Sequence, residues 1–458
     1  MRIRQDVIKL ALPVITEQVF IMLMGVVNTM MAGHIGKEAV SAIGMVDSMN
    51  NIFIAFFSSA AVGATVVVAH YAGQHKINDA NEAVKQALFA GISLSLIITL
   101  VIFIFRSPIL GFLFGSADPI VIANLHIYLN ITLITYPFIA ITAIISGVLR
   151  GAGDTKTPMK VTMIMNVANI IMSYILIYGI HLENHLFSLN IRGLDITGAA
   201  IGIAIARTLG AAIMLLIVWK GSSIIKLTDI RSFRIRMSFL RSIFGIGIPA
   251  SLESLMFNGG KLITQIFIVG MGTAVTASNF IAGSIASLVN VPGNALGIVI
   301  ITMVGQSMGK GEAEEAGDTM LYVVKFSAVC LFVLSAFVFP FAKVLVSLYS
   351  KDAEVIALAS DIVRLMAITT PLFWSQSFVL PSGLRGAGDA KYTMVTSIIG
   401  MWAFRVTLGY ILGVSLGLGV QGVWMGMYAD WVVRGTMYYF RLKGGKWKLK
   451  TVIRVENT

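Results

Sequence analysis

Long apolar segments separated by short polar turns run through almost the whole chain. Each segment has roughly 20 residues or more, which is enough for a helix to cross about 30 Å of hydrocarbon. The short alternating segments typical of a membrane β-barrel do not occur in the sequence. The pattern therefore predicts an all-α integral membrane protein with twelve transmembrane helices, at roughly 7–32, 44–71, 83–105, 121–148, 158–181, 196–219, 242–270, 275–307, 317–341, 355–383, 393–414 and 419–440.

A charged, glycine-rich stretch occurs once in each half of the chain. Residues 149–159 read LRGAGDTKTPM and residues 384–394 read LRGAGDAKYTM, with eight of eleven positions identical. Such an internal repeat indicates one structural unit built twice. Because each copy holds six spans, both copies enter the membrane from the same side. The sequence thus predicts two pseudo-symmetric six-helix lobes related by a parallel repeat.

The repeat divides the chain into four predicted regions. Residues 1–225 form an N-terminal lobe and residues 242–445 form a C-terminal lobe. Residues 226–241 mix basic with apolar side chains, which predicts an amphipathic helix on the anionic cytoplasmic leaflet. A solvated linker is the alternative. Residues 446–458 form a basic cytoplasmic tail that is expected to contact lipid head groups.

Composition and charge agree with a membrane location. Hydrophobic residues make up 57% of the chain and charged residues 12%, whereas a soluble domain carries about 25% charged residues. Basic residues concentrate in the short loops after even-numbered spans, in the connection and in the tail, and they mark the cytoplasmic side. We therefore expect a multi-pass protein of the cell (inner or plasma) membrane with both termini in the cytoplasm. No module that reads nucleic acid accompanies the net charge of +12, so nucleic acid is not an expected partner.

Enzyme chemistry has no visible support in the sequence. There is no zinc-ligand spacing, no phosphate-binding glycine loop with its lysine and no nucleophile elbow. The single cysteine, Cys330, excludes an internal disulfide framework. The Gly-Ala-Gly-Asp stretch falls at a helix–helix turn, where its aspartate is expected to cap the next helix. We predict no catalytic residues and no cofactor.

Glu17 and Glu253, at equivalent positions in the two copies, are the first candidates for ion coupling. Each lies four residues after a proline, Pro13 or Pro249. A carboxylate in an apolar helix is costly and is a functional hypothesis by default, and a proline can free a backbone carbonyl nearby. Together the two groups predict a cation or proton site. A structural carboxylate that hydrogen-bonds across the two lobes is the alternative.

Lys261 and Asp47 are further candidates. Lys261 lies about 12 Å along the helix from Glu253, so a direct pair is not expected. Three roles are open for Lys261: it neutralises another carboxylate, it repels cationic substrates, or it has a structural role only. Asp47 is placed at the start of the second span, where it either caps the helix or lines a site.

Two polar groupings follow helical spacing. Asn169 and Ser173 share one helix face, which favours a cavity-facing surface or hydrogen bonding between helices. Asp430 and Arg434 are four residues apart and are expected to pair on one helix.

The chain resembles the multidrug and toxic compound extrusion (MATE) family. The resemblance rests on Pro13 with residues 27–36, both LRGAGD stretches, residues 247–249, Arg405, Asp430 with Trp431, and residues 444–447. It implies two lobes that rock between inward-open and outward-open V shapes. It also implies antiport, in which an organic and often cationic substrate leaves as sodium or protons enter.

The resemblance also indicates where coupling residues would lie. Many members carry an aspartate in helix 1 where this chain has Asn28, and a second in helix 5 where it has Ser173, after Asn169. Others use a helix 7 glutamate, which Glu253 matches. The resemblance therefore places coupling on Glu253, with Glu17 as a second candidate, and implies a candidate sodium site at Glu253.

The favoured function is a secondary active multidrug exporter. It would move small organic cations or amphipathic drugs in exchange for sodium or protons, as a monomer among membrane lipids. The alternative is a lipid-linked precursor flippase of the same superfamily, the multidrug/oligosaccharidyl-lipid/polysaccharide exporters. A flippase is expected to have a strongly cationic cavity, for which Lys261 is the only signal. A membrane-embedded transferase is a distant third hypothesis, because the sequence shows no grouping of metal-binding aspartates or of histidine with an acid.

Overall fold

The computed structural model describes residues 2–33, 35–114, 118–184, 187–222, 224–227 and 233–453. Helices dominate these residues, as predicted. The described part of the first half forms seven helices and one hairpin: α1 (Arg2–Gly33), α2 (Lys37–Gly73), α3 (Ile77–Phe114), α4 (Pro119–Leu133), α5 (Tyr136–Gly151), α6 (Lys156–Tyr178), β1 (Gly179–Asn184), β2 (Phe187–Arg192) and α7 (Asp195–Lys220). Helices α4 and α5 meet at a bend of 47° and together fill one predicted span.

The second half continues with helices and π-helical turns. The helices in the described residues are α8 (Met237–Val269), α9 (Thr273–Val289), α10 (Val291–Gly309), α11 (Ala313–Ser347), α12 (Ala353–Thr369), α13 (Ser375–Gly386), α14 (Ala390–Ile399), α15 (Thr407–Tyr410) and α16 (Gly419–Lys443). The π-helical turns are Thr370–Trp374, Gly400–Val406 and Ile411–Ser415, and a 3₁₀ turn follows at Lys446–Leu449. The π-helical turns widen a helix locally and are frequent at functional sites.

Most of the predicted spans appear as long apolar helices. Within the described residues, nine helices are long and apolar enough to cross a membrane, or ten if the bent pair α4–α5 is one span. Helices α8 and α16 lie outside this set and carry charged side chains such as Glu253 and Asp430. If α9 and α10 are taken together, the helices follow the predicted order of spans.

Several observed helix bounds differ from the predicted spans; α3, for example, covers Ile77–Phe114 instead of 83–105. Two of the differences change how the candidate site is read. Helix α2 begins at Lys37 instead of near residue 44, so Asp47 lies inside the helix. Helix α6 ends at Tyr178, three residues earlier than predicted, and a hairpin follows. Gly179, the first residue after the helix, has a φ of 77°. Glycine adopts this backbone without a steric penalty, which explains why α6 stops here.

The connection between the halves does not form the predicted amphipathic helix in its described parts. Residues 228–232 lie outside the described residues, residues 226–227 and 233–236 are irregular, and α8 begins at Met237. Side chains of α3 form hydrogen bonds with the backbone on both sides of residues 228–232. Lys226 N donates to Asn81 Oδ1 at 2.8 Å, and Gln86 Nε2 donates to Arg234 O at 2.6 Å. The connection therefore runs across the start of α3, bonded to it through backbone groups.

The two halves meet along a seam where glycines pack closely against the facing helix. The seam is formed by residues 63–73 of α2, 243–247 of α8 and 305–309 of α10. Gly63 lies against the Ile243 carbonyl and Gly309 lies against the His70 carbonyl, with no room for a side chain at either position. Small residues let helix backbones approach closely, which favours association of helices in a membrane. The seam is therefore a backbone-to-backbone contact.

The seam lies at one end of the molecule. It joins the C-terminal ends of α2 and α10 to the N-terminal end of α8. Gln306 Nε2 donates to Gly151 O at 2.9 Å, and nearer the middle Ser251 Oγ donates to Phe56 O at 3.4 Å. The start of α1 also packs into the core of the second half. The halves thus contact each other where the basic loops after α2 and α10 lie.

The described part of the tail folds onto the second glycine-rich stretch. Trp447 is 1% exposed, and its Nε1 donates to Leu442 O at 2.9 Å. Asp389 lies 2.6 Å from Arg441 Nε and 3.4 Å from Lys450 Nζ. Residues 454–458 of the predicted tail lie outside the described residues. The tail residues that are described are therefore anchored to the protein itself.

The substitution Gly63→Leu tests the seam. A leucine at this position meets the Ile243 carbonyl and the Gly247 backbone, so we expect a loss of roughly 1–3 kcal/mol of stability, as for overpacking in general. Thermal unfolding of the purified protein, followed by tryptophan fluorescence, measures the loss. Gly259→Leu is the control, because nothing lies within 4 Å of a Cβ at that position. Equal unfolding midpoints for the two variants would contradict the close contact.

Candidate functional site

Three cavities adjoin one another from the first half of the chain to the second. The N-lobe cavity, about 490 Å³, is lined mainly by α1, α2, α6 and α7. The central cavity, about 670 Å³, is lined from both halves. The C-lobe cavity, about 720 Å³, is lined mainly by α8, α9 and α16 with residues of two π-helical turns. Each volume falls in the range of about 300–1,000 Å³ that is usual for small-molecule sites.

Shared side chains join the three cavities. Asn166 and Arg207 line both the N-lobe and the central cavity. Trp374 and Phe378 line both the central and the C-lobe cavity. Trp374 ends the π-helical turn between α12 and α13, and such turns re-aim side chains. The three cavities thus share parts of their walls. Most of the predicted site residues line one of them, but Glu253 is not among the lining residues.

The predicted Glu17 lines the central cavity and is fully paired. Arg150 Nη2 donates to both carboxylate oxygens at 2.7 Å, and Thr162 Oγ1 donates to Oε1 at 2.9 Å. Glu17 is 3% exposed, and a buried charge requires such compensation. Helix α1 continues through Pro13. The carboxylate therefore pairs with the arginine of the first glycine-rich stretch, and this arrangement gives no support to a cation site shared with a carbonyl freed by the proline.

The equivalent pair in the second half joins Glu253 to Arg385. Arg385 Nη1 donates to Glu253 Oε2 at 3.2 Å, and Nη2 donates to Ser382 Oγ at 3.0 Å. This geometry gives no support to the sodium site considered at Glu253, because the guanidinium neutralises the carboxylate and repels a second cation. In the part of the chain that the structure describes, no group of three His, Cys, Asp or Glu residues is arranged to hold a metal ion.

The aspartates of the two glycine-rich stretches have different partners. Thr157 N donates to Asp154 Oδ1 at 3.0 Å, which caps the start of α6. Ser222 Oγ donates to Asp154 Oδ2 at 2.9 Å. Asp389 makes no such capping bond and instead pairs with Arg441 and Lys450. The capping prediction is therefore confirmed for the first copy and wrong for the second.

Asn28, Asn169 and Ser173 come together in the N-lobe cavity. Asn169 Nδ2 donates to Asn28 Oδ1 at 3.0 Å, and Ser173 Oγ donates to Asn169 Oδ1 at 3.1 Å. Both alternatives considered for the polar face of α6 apply, since these residues line a cavity and also bond α6 to α1. Amides and a hydroxyl thus stand where the family resemblance leads one to expect two aspartates.

Asp47 is a cavity carboxylate and not a helix cap. It lies inside α2 and lines the N-lobe cavity. Tyr128 OH and Asn50 Nδ2 lie 3.3 and 3.4 Å from Asp47 Oδ1 and donate to it. Arg207 acts on Asp47 electrostatically but donates its hydrogen bond to Thr135 Oγ1 at 2.8 Å. The first half therefore retains a cavity carboxylate, supplied by α2 and held by neutral donors.

Lys261 and Arg405 line the C-lobe cavity. Lys261 Nζ lies 5.1 Å and Arg405 Cζ lies 5.4 Å from the centroid of the Phe257 ring. Among the described lining residues there is no carboxylate, so the expectation that Lys261 neutralises a carboxylate is wrong. The predicted pair of Asp430 and Arg434 is confirmed. Its two contacts are 2.6 Å (Nε–Oδ1) and 3.0 Å (Nη2–Oδ2).

Sequence reasoning assigned no role to several cavity residues. Arg207 and Arg405 gave the same signal as Glu17, a charge inside an apolar span, but no repeat or spacing tied either to a site. Trp374 and Phe378 gave no signal, because aromatic residues also occur at lipid-facing and core positions. Only the fold shows that these four side chains line the cavities.

Comparison with known proteins identifies the family. The family model described as MatE matches the chain twice, over residues 13–175 and 249–411. The two matches begin at Pro13 and Pro249, the prolines that the internal repeat aligns. The chain belongs to the MATE family of membrane transporters. It is therefore a transporter and not an enzyme.

Relatives of this MATE transporter cover nearly its whole length. The uncharacterized transporter YisQ of Bacillus subtilis is 28% identical over 437 residues, which are 95% of this chain and 93% of the relative. A probable multidrug resistance protein NorM of Thermotoga maritima is 27% identical over 460 residues, which are 99% of this chain and 95% of the relative.

Solved structures share the fold. A MATE family transporter in an outward-facing conformation has a TM-score of 0.86 at 20% identity, covering 98% of this chain and 97% of its own. A transporter of the same superfamily from Pyrococcus furiosus, described by a binding pocket of reverse polarity, has a TM-score of 0.87 at 19% identity, with the same two coverages.

The substitution Glu17→Gln tests the buried pair. It leaves Arg150 without its charged partner, and breaking a buried ion pair costs about 3–5 kcal/mol. We expect a clearly lower thermal unfolding midpoint of the purified protein. Asp361→Asn is the control, because the Asp361–Arg364 pair is 3.8 Å long and about half exposed, and exposed pairs contribute about 0–1 kcal/mol. If Glu17→Gln is as stable as the control variant, the Glu17 pair is not a structural requirement.

Proposed function

We propose that this MATE protein is a secondary active exporter that moves amphipathic organic compounds, including drugs, out of the cell by antiport with sodium or protons. One observation carries the proposal: a central cavity lined from both halves of the chain, next to a seam where the halves meet. The NorM relative is named as a probable multidrug resistance protein, which supports the same substrate range. Organic cations belong to this range.

The seam indicates how access to the cavity alternates. The halves touch at one end through glycine backbones and apolar side chains such as Phe239 and Ile243, so they can separate there without breaking many polar bonds. Rigid rocking of two lobes is a common form of such a transition. The basic loops beside the seam indicate the cytoplasmic side, with both termini on that side of the cell membrane. The described arrangement is then closed to the cytoplasm, and the protein works among membrane lipids as a monomer.

We place ion coupling on Asp47. Glu17 and Glu253 are each neutralised by an arginine, so an ion acting there has to displace a guanidinium. Asp47 accepts hydrogen bonds from neutral donors and lies in the cavity with Asn28 and Asn169. Arg207 acts on it electrostatically but donates its hydrogen bond to Thr135. Sodium binding or protonation at Asp47 neutralises a charge in the cavity that also holds the hydrogen bond joining α1 to α6. This change biases the lobe toward one of two arrangements, which is how a bound ion shifts a conformational equilibrium.

The lipid-linked precursor flippase remains the second candidate. Lys261 and Arg405 line the same cavity, which is a stronger cationic signal than Lys261 alone. A flippase would move a lipid phosphate across the bilayer and would not export soluble dyes. The two functions therefore differ in what the transport assay detects.

Transport by proteoliposomes tests the exporter. Ethidium, a cation, and fluorescein, an anion, are loaded in turn, and their export is followed under an imposed sodium gradient and then under an imposed proton gradient. We expect one gradient to drive export of at least one dye, which identifies the coupling ion. Folded protein that responds to neither gradient with either dye would exclude the exporter.

The substitution Asp47→Asn tests the coupling residue in the same assay. We expect gradient-driven export to fall by roughly tenfold or more, which corresponds to about 1.4 kcal/mol, because the side chain no longer binds a proton or attracts sodium. Glu253→Gln is the comparison and should keep most of the gradient response. The reverse result, with Asp47→Asn active and Glu253→Gln inactive, would move coupling to Glu253.

A further inference from the structure

Two positively charged side chains, Lys261 and Arg405, line the C-lobe cavity and belong to none of the described ion pairs of the second half. Those pairs join Glu253 to Arg385, Asp389 to Arg441 and Lys450, Asp361 to Arg364, Glu314 to Lys448, and Asp430 to Arg434. Lys261 and Arg405 take part in none of these described pairs. The lining residues therefore carry two positive charges, and the described lining has no negative charge to offset them.

Asp430 is the acidic group that acts on Arg405, but it is already engaged. Both of its oxygens are contacted by Arg434, at 2.6 and 3.0 Å, and both side chains of this pair are almost completely buried. The pair is neutral as a unit. Among the described residues, Lys261 and Arg405 therefore have no ion-pair partner of their own.

The two cations also act on each other. Lys261 and Arg405 interact electrostatically, and both lie over the same ring, that of Phe257. Like charges repel, and the repulsion grows where the surroundings are less polar than water. Charged residues within membrane-spanning segments usually face a water-filled cavity or a substrate path, and they mark function. An anion bound between the two side chains would relieve this repulsion.

The rest of the cavity wall fits the apolar part of a ligand. Trp374 and Phe378 stack with ring centroids 4.8 Å apart and planes 22° from parallel. Trp424 Nε1 donates to Asn279 Oδ1 at 2.9 Å, and this hydrogen bond fixes the orientation of the indole ring. Aromatic walls bury large apolar area and favour ring-containing ligands. The cavity thus combines an apolar wall with a cationic spot, which is the pattern of a site for an amphiphile.

We infer that the C-lobe cavity binds the anionic group of an amphipathic substrate, a carboxylate, sulfonate or phosphate, between Lys261 and Arg405. Arg405 supplies a planar fork that matches such oxygens, and Lys261 supplies a point charge. The apolar body of the ligand lies against Trp374 and Phe378, on the wall shared with the central cavity. This inference rests on the proposed function, because it specifies the substrate of the exporter.

A binding experiment without any ion gradient tests the site. Fluorescein is titrated with the full-length protein in lipid nanodiscs, and its fluorescence anisotropy gives the Kd. Rhodamine 6G, which has the same ring system and a positive charge, is titrated in parallel. For Lys261→Gln and for Arg405→Gln we expect the Kd of fluorescein to rise about tenfold or more, which equals about 1.4 kcal/mol. The Kd of rhodamine 6G should not rise.

Two further variants keep the test decisive. Lys343→Gln removes an exposed charge of α11 and should leave the Kd of fluorescein unchanged. Lys261→Arg keeps the charge and should bind fluorescein more tightly than Lys261→Gln. If Arg405→Gln does not fold, the Lys261 series alone decides. If fluorescein does not bind, or binds equally to wild type and Lys261→Gln, fluorescein gives no support to the site. The inference is then overturned unless binding of a lipid phosphate, tested as described next, depends on Lys261.

Competition distinguishes the sources of the anionic group. Farnesyl phosphate represents a lipid phosphate, and farnesol is the same chain without the charge. Binding of both fluorescein and farnesyl phosphate through Lys261 supports a site for anionic amphiphiles in general. Binding of farnesyl phosphate alone through Lys261 supports a lipid phosphate as the ligand. Farnesol as effective as farnesyl phosphate would contradict recognition of the charge.

The outcome is separable from that of the exporter assay. Binding that depends on Lys261 and Arg405, without gradient-driven export, keeps the anion site and rejects the exporter. Gradient-driven export of ethidium, without any anion binding that depends on these two residues, keeps the exporter and rejects the anion site.

Discussion

A charge inside a membrane-spanning helix has to be compensated by another group, and this constraint organises the whole chain. Placing Asp, Lys or Arg at the centre of a membrane helix costs at least about 2.5–3.5 kcal/mol. In each half a glutamate at the middle of the first helix meets the arginine of the glycine-rich stretch, as Glu17–Arg150 and Glu253–Arg385. The repeated sequence is therefore a repeated ion pair. It explains why the same charged stretch occurs twice in so apolar a chain.

Beyond this shared pair, the two halves differ in charge. The N-lobe cavity holds amides and a hydroxyl with one carboxylate, Asp47, and one arginine, Arg207. The C-lobe cavity holds Lys261 and Arg405 among aromatic rings. A small cation suits the first set of groups, and an anionic group on an apolar body suits the second. Duplication of one unit has thus produced two chemically distinct cavities on either side of a common space.

Local patterns predicted the helices and the doubling of the chain but not the partners across it. Glu17 and Glu253 stood out because a charge in an apolar run is visible in the sequence. Their arginines were also visible, yet 133 residues separate Glu17 from Arg150, and no local rule joins positions so far apart. Asp47 was placed at a helix start because the polar residues around Lys37 and Glu38 hid the first turns of α2. The connection looked amphipathic, but hydrogen bonds from α3 hold its described parts in another shape.

In the proposed antiport, the contacts of the glycine seam determine part of the energy needed to separate the two halves. In the described residues, two side-chain hydrogen bonds, from Gln306 and Ser251, join α10 and α8 to the first half along it, and one hydrogen bond contributes about 0.5–1.5 kcal/mol net. Moving one elementary charge through 100 mV supplies about 2.3 kcal/mol. The hydrogen bonds of the seam therefore cost about as much as the entry of one ion would supply in the proposed antiport. Strong ion pairs at the same place would raise the energy needed to separate the halves, whereas close-packed glycine backbones add no such pair.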